Sequence, residues 1–570
     1  MKKRSIIVFV LLAVFLASFS ISSIFQPNLA PRVFTTCFNP PIYPQLITRS
    51  GIICPGSYNY GIGIGADNLK VVCLKGTNFN GISWNGSNGL TVSGRRNVTV
   101  EGCSFMNFKG NGAFIGNSTS YTSLTHLIGN TFSNNNESGI YATGDIVYIG
   151  INNSNITNNG KDGIIFTTNY SGMFPLGLIV FNNNITNNQE NGINFYAYNH
   201  TYDTTDKPIL VKNNQITNNY RNGIQNIGLY SGYYQAFILY NKIDNNGHFK
   251  NGSGILLSTT TSETIINDPN AAGSRARFDQ IFFNDITNNK IDGLSILIPK
   301  VSASNIQRDF GAGVLEMFAN YIHNNQRYGI SMISEINTSD ESGLGTAILQ
   351  NAIINNTKGG LFFLGSNISD ISNAVEFALT CSDVLSNGNG DSNGVEVNRM
   401  NIGSFYIARE NIIEKNKIGI LVGNDSTYSS YSWIWQNHIG LNSAGLILNT
   451  SYNDTITEDN NFDNNTLQAY DVNTSSFTLN WWSDYSPTCV SSGPNGWCYT
   501  PRPIPIANQD TQPKAAIPYN WKNRGYHVKA NSTGIIPKST CYNYQLATFP
   551  NITLPNFAEF VEVNSTTTEI

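Results

Sequence analysis

Along most of the chain, polar and apolar positions repeat one short phrase: Asn, any residue, an aliphatic, any residue, Asn-Asn, and a few residues later a Gly followed by an aliphatic. Ser154 to Phe166, SNITNNGKDGIIF, shows it whole. The phrase returns as NTFSNN from Asn130, NNITNN from Asn183, NQITNN from Asn214, NKIDNN from Asn241, NDITNN from Asn284, NYIHNN from Asn320 and NAIINN from Asn351. Looser copies start at Ser382, Asn411, Asn437 and Asn460. About a dozen returns, at a spacing that drifts between about 24 and 39 residues, signal constant strands joined by loops of variable length. One aliphatic column runs through Ile156, Ile185, Ile216, Ile243, Ile286 and Ile322, a second through Ile164, Ile193, Ile224, Ile255, Leu294 and Ile330. Both belong to short strands, two or three to a unit, and no stretch holds a helical period.

Strands that recur without helices between them stack coil on coil, in parallel and about 4.8 Å apart, so that like residues lie over like. Aliphatic columns then fill the interior. Asn columns supply left-handed turns and a ladder of side-chain amides, for which Asn187, Asn218 and Asn288 are the expected residues. The sequon residues Asn155 and Asn184 are either buried in that ladder or glycosylated; sequons expected on loops are Asn199, Asn337 and Asn424.

The flanks differ from the array. Lys2, Lys3 and Arg4 lead into an apolar run from Ile6 to Ala17 and small residues to Ser20, the layout of an export signal. Apolar residues continue through Phe25, which leaves open an uncleaved membrane anchor over residues 1–25. Residues 26–64 read as a cap pinned by Cys37 and Cys54, residues 65–485 as the coils, and 486–570 as a Pro-rich tail. Eight cysteines suit an oxidising compartment. Cys37 with Cys54, Cys73 with Cys103 and Cys489 with Cys498 are the local pairs, leaving Cys381 and Cys541. Only 12% of residues are charged and the net charge is -4, so no basic surface for nucleic acid is present. GIGIG at Gly61 to Gly65 is followed by no helix and is not a dinucleotide loop.

The repeated phrase resembles that of right-handed parallel β-helix proteins of the pectin-lyase-like superfamily, over about residues 65–485. NVTVEGCSFMNFKGNGAFI from Asn97, NWWSDYSP from Asn480 and PRPIPIANQDTQP from Pro501 resemble the flanks of the NosD-type branch. The resemblance implies an all-β, right-handed parallel β-helix solenoid with an N-terminal cap and a loop-rich tail. It leaves function open, because lyases, hydrolases, epimerases and non-enzymatic surface proteins share that architecture. In NosD-type relatives it implies a copper-handling accessory role, but the six histidines and six methionines here form no sequence cluster to carry it. The acidic Gly-Asp loop those relatives often place between the closing motifs is replaced by CVSSGPNGWC, Cys489 to Cys498.

Insertions fall after the Gly-aliphatic strand and before the next Asn phrase, making one long rim. Its tyrosines and arginines, Tyr202, Tyr233, Tyr234, Arg275, Arg277 and Arg308, are the expected ligand-binding residues: aromatic faces beside polar groups suit an extended sugar chain. Arg308 with Asp309, and Asp279, are the catalytic candidates, since lyase or epimerase chemistry needs a base beside a charge neutraliser. The Gly-His-Gly turn of polygalacturonase-like relatives and the Asp-Pro-His-Glu run of epimerase-like ones are absent. NGNGDSNGVE from Asn387 reads as an Asn-Gly turn rather than a calcium loop. No metal or cofactor is expected. The sequence reading is thus an extracytoplasmic β-helix protein that binds a glycan or other envelope component, leaning away from catalysis. The alternatives are a polysaccharide lyase, hydrolase or epimerase, and a copper-handling accessory protein.

Overall fold

The computed structural model describes residues 36–517, leaving out 44, 147, 170–176, 199–208, 230–235, 261–277, 299–312, 335–343, 366–375, 399–404, 424–428, 431–432, 450, 453–454, 458, 473–474, 487–488, 490, 493–495 and 506–507. The N-terminal apolar segment, Cys541 and the end of the tail lie outside the described residues. Among those described, no helix is long and apolar enough to cross a membrane.

Each unit folds into one coil with three faces. Around Ile185 the strand Asn184–Thr186 lies on the first face, Ile193–Tyr198 on the second and Ile209–Lys212 on the third, after which Gln215–Thr217 begins the next coil on the first face. Among the described residues, the first face is a parallel sheet of 16 strands. The other two faces join into a 34-stranded sheet because Ala113–Ile128 runs from the second face round the corner into the third. The chain is a right-handed parallel β-helix, as its repeats imply. Parallel pairing already begins in the Pro-rich lead-in, where Cys37–Phe38 lies on Ile52–Ile53.

The core follows the register. Phe79, Phe105 and Phe132 stack in the first-face column with ring centroids 5.0 and 5.6 Å apart, then hand over to Ile156, Ile185, Ile216 and Ile243. At the far end Phe462 stacks on Trp482 at 4.3 Å. The Gly that closes each unit is required by space rather than by its turn: a Cβ on Gly192 would come within 2.6 Å of the Gly223 carbonyl oxygen of the next coil.

Two buried Asn ladders line the first face, one at each corner. On the entry side Asn183 donates from both its backbone N–H and Nδ2 to Asn214 Oδ1, at 2.9 and 3.0 Å, and Nδ2 also reaches the Ile151 carbonyl at 2.8 Å. On the exit side Asn188 does the same to Asn219 Oδ1, at 3.1 and 3.0 Å. This corrects the expected ladder residues by one position. Asn187, Asn218 and Asn288 have φ of 59°, 58° and 55° and form the left-handed turns, while the following Asn188, Asn219 and Asn289 are buried in the column. Asn155 and Asn184 are also outside the ladder: they point outward from the first face, exposed, with a 2.9 Å bond from Asn184 Nδ2 to Asn155 Oδ1. Asn387, at the start of the NGNG turn, is a ladder residue too.

The three expected local disulfides are present, Cys37–Cys54, Cys73–Cys103 and Cys489–Cys498, and Cys381 is disulfide-bonded as well. The segment after the last clip closes the array. Asp510 Oδ2 accepts from the backbone N–H and Nδ2 of Asn480, both at 3.2 Å, and from Trp482 Nε1 at 3.0 Å, while Oδ1 accepts from Gln512 N–H at 3.0 Å.

Replacing Asn219 by Ala deprives Asn188 of its acceptor and leaves buried donors unpaired, so it should cost about 2 kcal/mol or more in chemical denaturation. Ile216→Asp, which places an unpartnered charge in the aliphatic column, should cost more still. Wild-type unfolding midpoints for both variants would contradict the assignment of inside and outside.

Candidate functional site

The site residues expected from sequence belong to the rim. Tyr202, Tyr233, Tyr234, Arg275, Arg277, Arg308 and Asp309 lie outside the described residues, and Asp279 is described only as part of the third-face strand Phe278–Phe282. The insertions do fall at one corner: 199–208 follows Ile193–Tyr198 and precedes Ile209–Lys212, and 299–312 follows Leu294–Ile298 and precedes Gly313–Phe318. That corner joins the second and third faces and is opposite the first. Glu316, on the third-face strand that follows the 299–312 insertion, sits half-buried and accepts from Gln280 Nε2 at 3.1 Å. Burial pushes its carboxyl above the ordinary carboxylate range, and the Gln280 bond opposes that shift.

On the first face, chemistry gathers where sequence reading did not place it. A three-residue strand buries its middle side chain and turns the two flanking ones outward. In coils such as Asn155–Thr157 and Asn184–Thr186 those outward positions hold Asn and Thr. Three successive coils break the habit, with Lys242 and Asp244, then Asp285 and Thr287, then Tyr321 and His323. Register puts Lys242, Asp285 and Tyr321 in one column and Asp244, Thr287 and His323 in the other.

His323 is oriented from both sides. Its Nε2 lies 3.0 Å from Asp285 Oδ1, and its Nδ1 lies 2.9 Å from Asn324 Nδ2 and 3.3 Å from Thr287 Oγ1. A carboxylate at one nitrogen and an amide donor at the other assign the proton to Nε2 and leave Nδ1 as the acceptor. The Tyr321 ring lies over the imidazole, with centroids 3.9 Å apart. The side chains of His323 and Asp285 are 12% and 15% exposed, which shields the pair without sealing it. The Tyr321 phenol is pushed above its ordinary value, first by burial and second by the charge of Asp285. Two coils before Tyr321 and His323, Lys242 is exposed, with Nζ 3.5 Å from Asp244 Oδ2, and Asp244 Oδ1 accepts from Asn288 Nδ2 at 3.0 Å.

Aromatic side chains flank the group. The residue before the entry-side ladder Asn takes a left-handed turn; Asn182 and Asn213 do so in earlier coils, Tyr240 and Phe283 in the coils of Lys242 and Asp285. The two rings stack at 4.8 Å, Phe283 meets Phe318 edge-on at 5.4 Å, and Lys212 Nζ lies 5.7 Å over Tyr240. The arrangement offers an oriented imidazole and a phenol for moving protons, a nearby cation, and an apolar border. Among the described residues, no group of three or more His, Cys, Asp or Glu is placed to hold a metal ion. The signal for the site was in the repeats: aligned one under another, NKIDNN, NDITNN and NYIHNN carry ionisable residues at variable positions where the preceding coils carry Asn, Gln and Thr and the following one carries Ala and Ile.

Residues 56–271 match the family described as right handed beta helix region. The sequence matches no curated protein. Among solved structures, the chain is similar to the periplasmic alginate epimerase AlgG, at 12% identity and a TM-score of 0.29, covering 65% of this chain and 76% of that one. It is similar to the mannuronan C-5 epimerase AlgE4 A-module of Azotobacter vinelandii, at 12% identity and 0.33, covering 75% and 90%. It is similar also to pectate lyase Pel9A, at 14% identity and 0.29, covering 57% and 72%. Likeness this distant leaves the chemistry of the chain to its own residues.

Asp285→Asn removes the negative charge beside Tyr321 and should bring that phenol back toward its ordinary value. Ultraviolet titration, with Tyr321→Phe to identify the signal, checks this. A Tyr321 titration unchanged by Asp285→Asn would break the link between the two residues.

Proposed function

We propose that the chain is an extracytoplasmic, glycan-acting β-helix protein whose working surface is the first face. On this reading Lys242, Asp285, Tyr321 and His323 move a proton beside the carboxylate of an acidic sugar, the step common to polysaccharide lyases and epimerases. The single observation that carries it is the Asp285–His323 hydrogen bond at 3.0 Å, with Tyr321 stacked on the imidazole and Lys242 in the same outward column as Asp285 and Tyr321. Export is supported by the disulfides and by the charged, then apolar, start of the chain.

The division of labour follows from the geometry. Asp285 holds the His323 tautomer with Nδ1 as the basic nitrogen, which takes the proton from the sugar carbon next to the carboxylate once the sugar displaces the Asn324 amide that Nδ1 accepts from. Tyr321, kept protonated by burial, serves as the acid. Lys242 balances the carboxylate, whose negative charge grows as the proton leaves. In elimination the C–H electron pair becomes the ring double bond, the neighbouring glycosidic C–O bond breaks, and the departing oxygen takes the acid's proton. In epimerisation no bond to oxygen breaks, and a proton returns to the opposite side of the same carbon.

The rim residues Tyr202, Tyr233, Tyr234, Arg275, Arg277 and Arg308 are proposed as further glycan contacts, with Asp279, Arg308 and Asp309 as the alternative catalytic group. The NosD-type, copper-handling reading predicts tight copper binding by the purified protein, and a copper titration tests it separately.

The test is a screen of polygalacturonate, polymannuronate, polyguluronate and hyaluronan for unsaturated products by ultraviolet absorbance, and for inverted sugars by nuclear magnetic resonance. His323→Ala and Tyr321→Phe should each lower turnover about 10²- to 10⁴-fold with little change in unfolding. Absence of any product, or wild-type rates in both variants, would sink the reading.

A further inference from the structure

One insertion lies away from the rim, at the exit-side corner of the first face. The closing Gly follows the exit-side ladder Asn by four positions in the coils of Asn188, Asn219 and Asn289, at Gly192, Gly223 and Gly293, but by eight in the coil of Lys242, from Asn246 to Gly254. Both ends keep their places in the stack: Asn246 Nδ2 donates to Asn289 Oδ1 at 3.1 Å, and the Gly254 N–H to the Asp292 carbonyl at 3.0 Å. The extra residues therefore form a loop on the outside of the corner. Gly252 N–H closes it on the Gly247 carbonyl at 3.3 Å, Lys250 N–H ties it to the Tyr220 carbonyl of the coil before at 2.8 Å, and His248 Nε2 donates to the Asn288 carbonyl of the coil after at 2.9 Å. Between these ties Phe249 stacks on Tyr220 with ring centroids 4.2 Å apart and is nonetheless 72% exposed. One face of the ring is held by Tyr220, and the other meets solvent. Tyr220 is itself the exception at its position, the residue after the ladder Asn, which is Gln189, Gln326 and Thr357 in other coils. The core does not need this pair, since Ile216 and Ile243 fill the column inside the same two coils.

Charge gathers on the same corner. Arg221 and Lys250 both pair with Glu190, and the three side chains are 51%, 44% and 30% exposed. Two cations on one carboxylate leave a positive charge over, and exposed ion pairs are held weakly enough to exchange for another anion. The next coil adds Lys290, whose N–H donates to the Asn246 carbonyl at 2.9 Å and whose ammonium has no acidic partner among the described residues. The loop is also continuous with the ionisable group: Asn288, whose carbonyl holds His248, donates from Nδ2 to Asp244 Oδ1, and Asp244 lies beside Lys242.

We propose that Phe249, backed by Tyr220 and flanked by Arg221 and Lys250, is a sugar-binding platform that holds one unit of an acidic polysaccharide at a distance from the unit that reacts. This rests on the reading of the first face as the working surface, and it gives the polymer a second anchor and a direction, from His323 toward the exit-side corner. The apolar face of a pyranose ring lies on the open face of Phe249, and the carboxylate of the same sugar takes the place of Glu190 between Arg221 and Lys250. Between His323 and the platform lie two coil steps of about 4.8 Å along the axis and two or three residues of about 3.3 Å each across the strands, roughly 12 to 14 Å in all, the length of about three sugar units. A shorter oligomer reaches the platform or the ionisable group. A longer one reaches both, and its second contact forms at a high effective concentration.

The experiment uses the full chain and oligogalacturonates and oligomannuronates from dimers to octamers, with binding followed by titration calorimetry. Affinity should rise about tenfold or more between dimers and hexamers. Phe249→Ala should remove that rise without moving the unfolding midpoint, because the ring is exposed. Phe249→Trp, which keeps a flat aromatic face, should retain it, and this separates loss of the face from disturbance of the loop. Replacing Arg221 and Lys250 together by Gln should weaken hexamer binding about tenfold at low salt and less at high salt. A wild-type affinity that does not rise with length, or a rise that survives Phe249→Ala, would overturn the platform while leaving the proposed function standing. Phe249-dependent binding of neutral cello-oligosaccharides as tight as that of the uronates would overturn the role given to Arg221 and Lys250. Neither binding nor turnover of any uronate would overturn the platform and the proposed function together.

Discussion

Everything in this molecule depends on a buried side-chain amide finding its partner in the next coil. A carboxamide taken out of water without hydrogen bonds costs several times what it returns when paired, so a column of them is tolerable only if every member is satisfied. The two ladders meet that condition by using the same atoms repeatedly: each Oδ1 takes two hydrogens from the coil before it, and each Nδ2 also reaches a main-chain carbonyl. Where a shorter residue stands in, as at Ser154 and Ser382, a hydroxyl fills the acceptor role for Asn130 and Asn351. The ladders hold the first face between two fixed corners, only one short strand apart. Its outward side chains are consequently displayed on a surface with little freedom to shift.

A similar economy operates at the second-face corner, through the residue before each closing Gly. Asn191 and Asn222 donate in turn to Asp162 and Asn191, and Ser253 N–H donates to Asn222. Farther along, Asp292 is fully buried yet accepts from Arg327 Nε at 2.8 Å, Ser295 Oγ at 2.7 Å and Tyr328 N–H at 3.0 Å. A buried carboxylate with this many donors is stable because its partners are in place, and removing one would leave charge stranded. Two of the three corners are thus committed to structure. The first-face exterior and the third corner, where the insertions fall, are left to vary.

Most of the fold was legible because stacking imposes on sequence the same repetition it imposes on space. The aliphatic columns, the closing glycines and the local disulfides could each be read from spacing. The ladder was read one residue off, since in an Asn-Asn pair either residue suits a left-handed turn and either suits a column; only the burial of Asn188 beside an exposed Asn187 separates them. The ionisable group was not read at all. Its members belong to three different repeats, and in a linear scan His323 is an isolated histidine and Lys242 an isolated lysine. Loop length, by contrast, is conspicuous in a sequence, and it drew attention to the rim. Reading down the columns, as the coils do physically, is what brings Asp285 under Tyr321 and beside His323.

The end of the entry-side ladder has a meaning of its own. A stack of identical amides runs one way, donor to acceptor, and in principle has no last member, because each asparagine presents a fresh pair of amide hydrogens to whatever comes next. Asp510 breaks that succession: its two oxygens take up the hydrogens of Asn480, Trp482 and Gln512, and its side chain passes no amide hydrogen onward. It acts as a chain terminator does in a polymerisation. A solenoid whose internal logic is that of a fibre is thereby kept at a finite length, and the difference between the two outcomes is a single substitution of oxygen for nitrogen.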